Sequence, residues 1–359
     1  MSQLKVNTIR HTGASSDAVT LATDGTCTVK ATNKSNRNLI INGAMQVAQR
    51  GNSTSTNNTF ATDRFRFTFG GADEAPTLTQ HVLTSSDTGP WEEGFRYSSH
   101  IQNGNQTSGA GTQDYAQLHY CPEAQDIANS GWNYTSASSY ITLSFWIKSS
   151  VAQVFNFTFG TQDGTVKYYR MKTPSLSADT WTKVTKTIPG ASGLQFDNDT
   201  DTGGYIWFWP FIGTEWTSSG ASENAWTTAN SGEYSIDMTS TWWTTNDATF
   251  EVTGVQLEVG DVATDFEHRS YGTELARCQR YYWQNLKNTY LFQYGSTHKR
   301  IEIYFPVPMR ATPTYDHTGS NITIDSGNHQ SEEFFCAYSA SDYDGPGRNY
   351  SEVKFSAEL

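Results

Sequence analysis

Charge is scarce in this chain of 359 residues: Asp, Glu, Lys and Arg make up only 17% of it, against about a quarter in ordinary soluble domains. What charge there is leans acidic, with 36 acidic and 24 basic residues and a net charge of −12. An acidic surface repels phosphate backbones and anionic headgroups, which argues against nucleic-acid and membrane-surface partners. Cysteine is rare as well. Cys27, Cys121, Cys278 and Cys336 show neither metal-ligand nor CxxC spacing, which excludes a zinc site or a dithiol redox motif, and their scatter argues against a disulfide framework. Buried free thiols are the expectation. No apolar run approaches the roughly 18 residues of a membrane span. Residues 1–8 hold no apolar secretion core, so the reading is a protein made in a cytoplasm that leaves by lysis or a dedicated route. Heptads and internal repeats are missing too, so neither a long coiled-coil shaft nor a long parallel β-helix is expected.

Thr, Ser, Asn and Gly fill the space that charge leaves, with 29 Gly. So much polar sequence raises the question of disorder, but 11 Trp, 19 Tyr and 19 Phe supply the apolar payload that disordered chains lack. The pattern predicts an all-β protein. Phe65, Phe67 and Phe69 alternate with Arg66 and Thr68 as a half-buried strand does. Further strands are read over 140–148, 154–159, 166–170 (after the hairpin signal Asp163-Gly164), 181–188, 205–209 and 249–257. Many short strands divided by turns predict a two-sheet jelly-roll sandwich over 38–270.

Residues 1–37 read as three very short strands whose apolar residues Leu4, Val6, Ile9, Val19 and Leu21 cannot form a core alone. A disordered tail is one reading. A segment ordered against identical chains or a docking partner is the one adopted. Within a helical connector over 271–288, Thr273 reads as N-cap, and Leu275, Cys278, Tyr282 and Leu286 form one apolar stripe. That stripe packs either on its own sandwich or on the same helix of two neighbours. Residues 289–359 read as a small β-domain, with Pro306 and Pro308 placing the strand 301–310 at an edge or bulge.

Aromatics carry the main chemical signal, ten of the eleven tryptophans lying between Trp91 and Trp243. Sugar rings present C–H faces that stack on such rings while amides and carboxylates bind the hydroxyls. Trp146, Trp181, Trp207 and Trp209 sit inside strands and read as core. Trp216, Trp226, Trp242 and Trp243 sit among Ser, Thr, Asn and Gly and read as loop residues, either ligand platforms or intersubunit contacts. Tyr338 and Tyr343 are candidates near the C-terminus. Asp197, Asp199 and Asp201 alternate as calcium-loop carboxylates do, but Thr202 and Phe208 stand where an EF-hand needs Gly and Glu. A non-EF calcium site and a solvated acidic turn both remain, the turn being favoured. No nucleophile or metalloprotease motif occurs, and Glu92-Glu93 beside Trp91 lacks the separation of a glycosidase pair if it lies in a strand. No catalytic activity and no cofactor are expected.

One run goes further. Thr249-Phe250-Glu251-Val252-Thr253-Gly254-Val255-Gln256-Leu257-Glu258-Val259-Gly260 is followed by Phe266-Glu267-His268-Arg269-Ser270-Tyr271-Gly272 and then by Glu274-Leu275-Ala276-Arg277-Cys278-Gln279-Arg280-Tyr281-Tyr282-Trp283. It resembles a module of bacteriophage tail fibres and related virion proteins, especially of phages of marine bacteria. The resemblance implies a carbohydrate-binding-module-like sandwich leading through a short helix into a terminal domain. It further implies a homotrimer located in the virion tail and made in the host cytoplasm. The N-terminus would dock on a tail adaptor, nozzle or baseplate protein, and the fibre would attach to a host cell-surface glycan or other receptor. A non-adhesive decoration protein and a polysaccharide depolymerase are the alternatives.

Overall fold

The computed structural model describes residues 6–10, 12–13, 18–25, 27–29, 36–230, 232–285, 292–294, 298–318, 331–339 and 352–359. The first strands, β1 (Thr8–Ile9), β2 (Val19–Leu21) and β3 (Cys27–Val29), form a small antiparallel sheet. Val6, Ile9 and Leu21 are exposed on it and Val19 is half-buried. Leu4 lies outside the described residues.

The sandwich strands are β4 (Ser53–Thr54), β5 (Thr59–Thr62), β6 (Phe65–Gly70), β7 (Thr77–Val82), β8 (Tyr97–Gln102) and β9 (Tyr115–Tyr120). The short helix α1 (Ala124–Ala128) precedes β10 (Tyr140–Ser149), β11 (Asn156–Thr161), β12 (Lys167–Lys172), β13 (Thr182–Pro189), β14 (Gly204–Ile212) and β15 (Trp226–Thr228). One turn of helix, α2 (Thr241–Thr244), leads into β16 (Thr249–Val259). They build two antiparallel sheets, ordered β13-β10-β16-β8-β7-β4 and β15-β12-β11-β14-β9-β6-β5. The chain crosses repeatedly between them, as in a jelly roll. Alternation explains which side chains meet inside: Phe145 of the first sheet packs edge-on against Phe157 and Phe208 of the second, both at 5.0 Å. Each buried Phe contributes about 1.5–3 kcal/mol.

The chain enters and leaves this sandwich at one corner. Leu39 N donates to Leu257 O (2.9 Å), Asn38 Nδ2 to Val255 O (3.2 Å), and Leu257 N to Asn38 Oδ1 (3.1 Å). The Glu267 carboxylate accepts from the backbone N–H groups of Asn36 and Asn38, and Arg269 Nη1 donates to Ile40 O (3.0 Å).

The connector helix differs from expectation. It is α3 (Tyr271–Gln279), capped by Ser270, whose Oγ accepts from Thr273 N. Thr273 is thus the third helical residue, and its hydroxyl bonds Ser270 in turn. The helix stops early because Tyr282 is taken by a sheet: β17 (Tyr282–Asn285) pairs with the last strand. Leu286 lies outside the described residues. Cys278 is buried in the sandwich core and Leu275 packs against it, partly buried, which fits the intramolecular reading of the stripe.

The remaining strands are β18 (Phe292–Tyr294), β19 (His298–Tyr304), β20 (Thr314–Thr318), β21 (Phe334–Ser339) and β22 (Glu352–Ser356), in sheets ordered β17-β22-β20 and β18-β19-β21. β19 is central in its sheet, not an edge, because it ends at Tyr304 before Pro306 is reached. The chain end is fixed to the sandwich by charge. Glu358 pairs with Arg50 (2.8 Å) and Arg64, and Arg64 lies over the Tyr281 ring at 3.4 Å. Of the four thiols Cys121, Cys278 and Cys336 are buried, whereas Cys27, on the small first sheet, is exposed. Among the described residues no helix is long and apolar enough to cross a membrane.

Candidate functional site

Strand β14 shows how the site arises. Ile206 and Phe208 point into the sandwich core, so Tyr205, Trp207 and Trp209 must point to the outer face of the seven-stranded sheet. A bulge between Phe208 and Phe211, opposite β9, then turns the strand end. After Ile212 the chain folds back over the outer face. Arg170 of β12 holds that segment down, donating to Glu233 O and Thr227 Oγ1. Thr158 Oγ1 donates to Tyr234 O (3.0 Å) and Asn156 Nδ2 to Ser235 Oγ (3.1 Å). Half of the outer face is thereby roofed. The half made by β6, β9 and β14 stays open, and a groove of about 390 Å³ runs along the seam.

Its floor is Trp207 and Trp209, which are 8% and 4% exposed. Half-buried Tyr115, Tyr205, Trp216 and Tyr234 rise around them. The rings support one another: Tyr205 stacks on Trp207 at 5.0 Å and 18°, and Tyr234 meets Trp207 edge-on at 5.8 Å. Trp216 is oriented by Nε1 donating to Gln113 O (3.0 Å), and Tyr205 by its hydroxyl donating to Gln162 Oε1 (2.7 Å). Gly70 is needed at the rim, because a Cβ there would stand 2.6 Å from the Tyr115 ring.

One polar line crosses the groove. Thr68 and Arg66 of β6 face Gln117 and His119 of β9 in register. Gln117 Oε1 accepts from Thr68 Oγ1 (3.0 Å) and lies 3.0 Å from His119 Nδ1, while Arg66 Nε donates to His119 Nε2. These partners assign the Nδ1–H tautomer. Burial, then the neighbouring Arg66 and Arg64 charges, push the His119 pKa down to about 3, so the imidazole is neutral. With both acceptor directions of its carbonyl used, Gln117 has its amide N–H groups to offer. Such a surface, flat rings beside amide, guanidinium and phenol groups, suits sugar rings and hydroxyls.

Of the residues expected from sequence, Trp216 belongs to this groove. Trp226 does not: on β15 its Nε1 donates to Pro189 O (2.7 Å) and its ring packs on Tyr169 at 5.3 Å. Trp242 and Trp243 are no loop platforms. Both lie on α2 with no exposure, their indole N–H groups donating to Thr249 O and Gly109 O (both 3.0 Å). Tyr338 lies in β21 opposite Arg300, in a different sheet from the groove's strands, and Tyr343 is outside the described residues. Asp197, Asp199 and Asp201 do not converge. Asp197 Oδ1 accepts from Gln195 Nε2, Asp199 Oδ1 from Asp201 N, and Asp201 is 84% exposed. Among the described residues no group of acids, His or Cys is placed to hold a metal ion. Glu92 and Glu93 lie in a turn, not a strand. Glu92 accepts from Gly89 N, and Glu93 pairs with Lys183 at 2.9 Å and accepts from Trp146 Nε1.

Of the strand tryptophans assigned to the core, Trp207 and Trp209 are buried as expected, in a cluster with Tyr168 and Ile212 on the outer face of the seven-stranded sheet, where they floor the groove. Trp146 and Trp181 depart from that reading: they are half-buried on the outer face of the six-stranded sheet, bonded to Glu93 and Asp87. Sequence reasoning missed Arg66, Tyr115, Gln117, His119, Tyr205 and Tyr234. The signal was present: with Phe65 and Phe67, or Ile206 and Phe208, turned inward, their neighbours had to face out.

No family model matches the chain, and no curated protein matches it. Solved structures match it at low similarity. The enzymatically active domain of tailspike protein 4 of bacteriophage CBA120 is 12% identical, with a TM-score of 0.33, over 62% of this chain and 22% of that one. The N-terminal cellulose-binding domain of Cellulomonas fimi β-1,4-glucanase C is 10% identical, with a TM-score of 0.28, over 61% of this chain and 99% of that one. The family 11 carbohydrate-binding module of Clostridium thermocellum, in complex with a β-1,3-1,4-mixed-linked tetrasaccharide, is 12% identical, with a TM-score of 0.26, over 60% and 98%. The structures it is similar to thus include a phage tailspike domain and carbohydrate-binding modules.

Proposed function

We propose that this protein binds a glycan in the groove beside β9 and β14, without acting on it chemically, and serves as a phage tail fibre in host attachment. The observation that carries the glycan reading is the groove itself, four half-buried aromatic rings over a tryptophan floor with an amide and a guanidinium in line across it. The tail-fibre part is supported by the resemblance of residues 249–283. The exposed Val6, Ile9 and Leu21 support docking of the first strands on identical chains in a trimer or on a tail protein. Sedimentation showing a stable monomer at micromolar concentration removes the trimer.

The test of the glycan reading is adsorption of the intact protein to host cell-surface polysaccharide. Trp216→Ala and Tyr234→Ala are each expected to weaken it by about 0.5–1.5 kcal/mol per site, the worth of a ring contact, amplified where linked sites act together. Unchanged adsorption in the double variant removes the groove as the binding site. Release of reducing ends from the polysaccharide would instead favour a depolymerase.

A further inference from the structure

The groove is electrically unusual for this protein. In a chain with net charge −12, the residues lining it include one cation and no carboxylate. The three acids adjacent in sequence to lining residues are engaged elsewhere: Asp114 accepts from Gly111 N, Glu215 from Gln113 Nε2 (2.8 Å) and Glu233 from Asn230 Nδ2 (3.2 Å). The cation is Arg66, half-buried at the end of the polar line. Its Nε donates to His119, while its Nη1 and Nη2 make no bond or ion pair among the described residues.

That pattern differs from how the protein treats its other enclosed guanidiniums. Arg64, Arg50, Arg280 and Arg269 each sit against a carboxylate, and Arg170 is tied to a backbone carbonyl. Arg66 too is held by a neutral partner, since His119 carries no charge, but unlike Arg170, whose Nη atoms are also bonded, it is fixed through Nε alone. The Nη fork is therefore presented pre-oriented, with an uncompensated positive charge, beside rings shaped to hold a sugar. A guanidinium fork of this kind matches a carboxylate or sulfate with two parallel N–H···O bonds.

We infer that the groove takes an acidic glycan, in which the anionic group of a uronic acid or a sulfated sugar docks on the Arg66 fork while the ring carrying it lies against Tyr115, Tyr205 or Trp216. This rests on the glycan-binding reading above and adds the class of sugar. The Gln117 amide, next along the line, donates to an adjacent hydroxyl or ring oxygen.

The experiment uses the full chain and a set of paired polymers: alginate and polygalacturonate with their carboxyl-reduced forms, and chondroitin sulfate with its desulfated and carboxyl-reduced forms. Retardation in affinity electrophoresis is read at low ionic strength, where the contact is least screened. At least one acidic polymer is expected to bind about ten-fold or more tightly than its neutral partner, as a charge-assisted hydrogen bond implies. Arg66→Gln should remove that preference while leaving weak binding to the neutral form, and Arg66→Lys should restore part of it by charge without the fork. Circular dichroism and melting of the variants confirm that the fold persists. The two sources of the anion are separated by which removal, carboxyl or sulfate, abolishes binding. Equal binding of acidic and neutral partners, or an acidic preference that survives Arg66→Gln, overturns the inference and leaves the glycan reading standing. Binding of none of the acidic polymers overturns the acidic-sugar inference, and loss of the groove's adsorption to host polysaccharide on Trp216→Ala decides the glycan reading separately.

Discussion

Glu358→Gln tests how the chain end is held. The carboxylate lies between Arg50 and Arg64, with side chains 9%, 14% and 2% exposed respectively. Burial alone would raise the Glu358 pKa, but the two guanidiniums overcome it and hold the carboxyl below its ordinary value of 4.5. The Gln variant keeps the shape and leaves two enclosed cations without their shared anion. Arg50 retains the 3.6 Å approach to Asp63 and the Phe60 and Tyr282 rings, and Arg64 the Tyr281 and Tyr120 rings and Cys121 O. Breaking a buried pair by removing one partner costs about 3–5 kcal/mol. We expect about 3 kcal/mol, because an amide oxygen still accepts from one Arg. The assay is urea unfolding followed by tryptophan fluorescence, with limited proteolysis of residues 282–359 as a local readout. The double variant Arg64→Met, Glu358→Leu should recover most of the loss, since a desolvated pair replaced by apolar groups is often neutral or stabilising. A loss below about 1 kcal/mol for Glu358→Gln, or a double variant no better than the single, refutes the reasoning. The pH dependence has a definite sign. A carboxyl with a depressed folded pKa contributes stability above about 4.5, and that contribution fades as pH falls through its lower folded value.

Two further outcomes are expected. His119 has a folded pKa of about 3 against 6.5 for the free side chain, so the unfolded chain takes up the proton first and stability falls with pH from about 6.5 downward. Between pH 6.5 and 5 the loss is about 2 kcal/mol, measured by urea unfolding, and a wild-type-like loss in His119→Gln would exclude this residue as its source. Gly254→Ala should lower the unfolding midpoint, costing about 1–3 kcal/mol. The residue has φ +63° at the irregular point of β16, and a Cβ there would stand 2.7 Å from the buried Phe95 ring; an unchanged midpoint would show that the ring can move aside.

The fold was more legible than the site, for a physical reason. Strands such as β6, β10 and β16 announce themselves by period-two alternation, which is local. The connector helix was legible in its apolar positions but not in its length, because its end is set by Tyr282 pairing with Ser356, far along the chain. In β14 both faces are apolar, so the pattern alone cannot say which points inward. That is decided by partners in other strands: Phe208 meets Phe145 across the core, leaving Trp207 and Trp209 outside. The error at Trp242 and Trp243 has the same root. Polar sequence neighbours suggested a loop, but Asn103 Nδ2 bonds the carbonyl oxygens of both and seats the turn over the core. The pairing of Arg66 with His119 joins residues 53 positions apart, which no spacing rule reaches.

The corner where the chain enters and leaves the sandwich has a mechanical consequence. Asn38 and Leu39 are stitched to Val255 and Leu257, and Glu267 and Arg269 grip the same segment from the outgoing side. Tension applied between the N-terminal strands and α3 therefore runs through this clasp and shears a few hydrogen bonds lying side by side, instead of peeling the sheets apart. The groove lies off that load path, so its rings keep their spacing while the two ends are pulled.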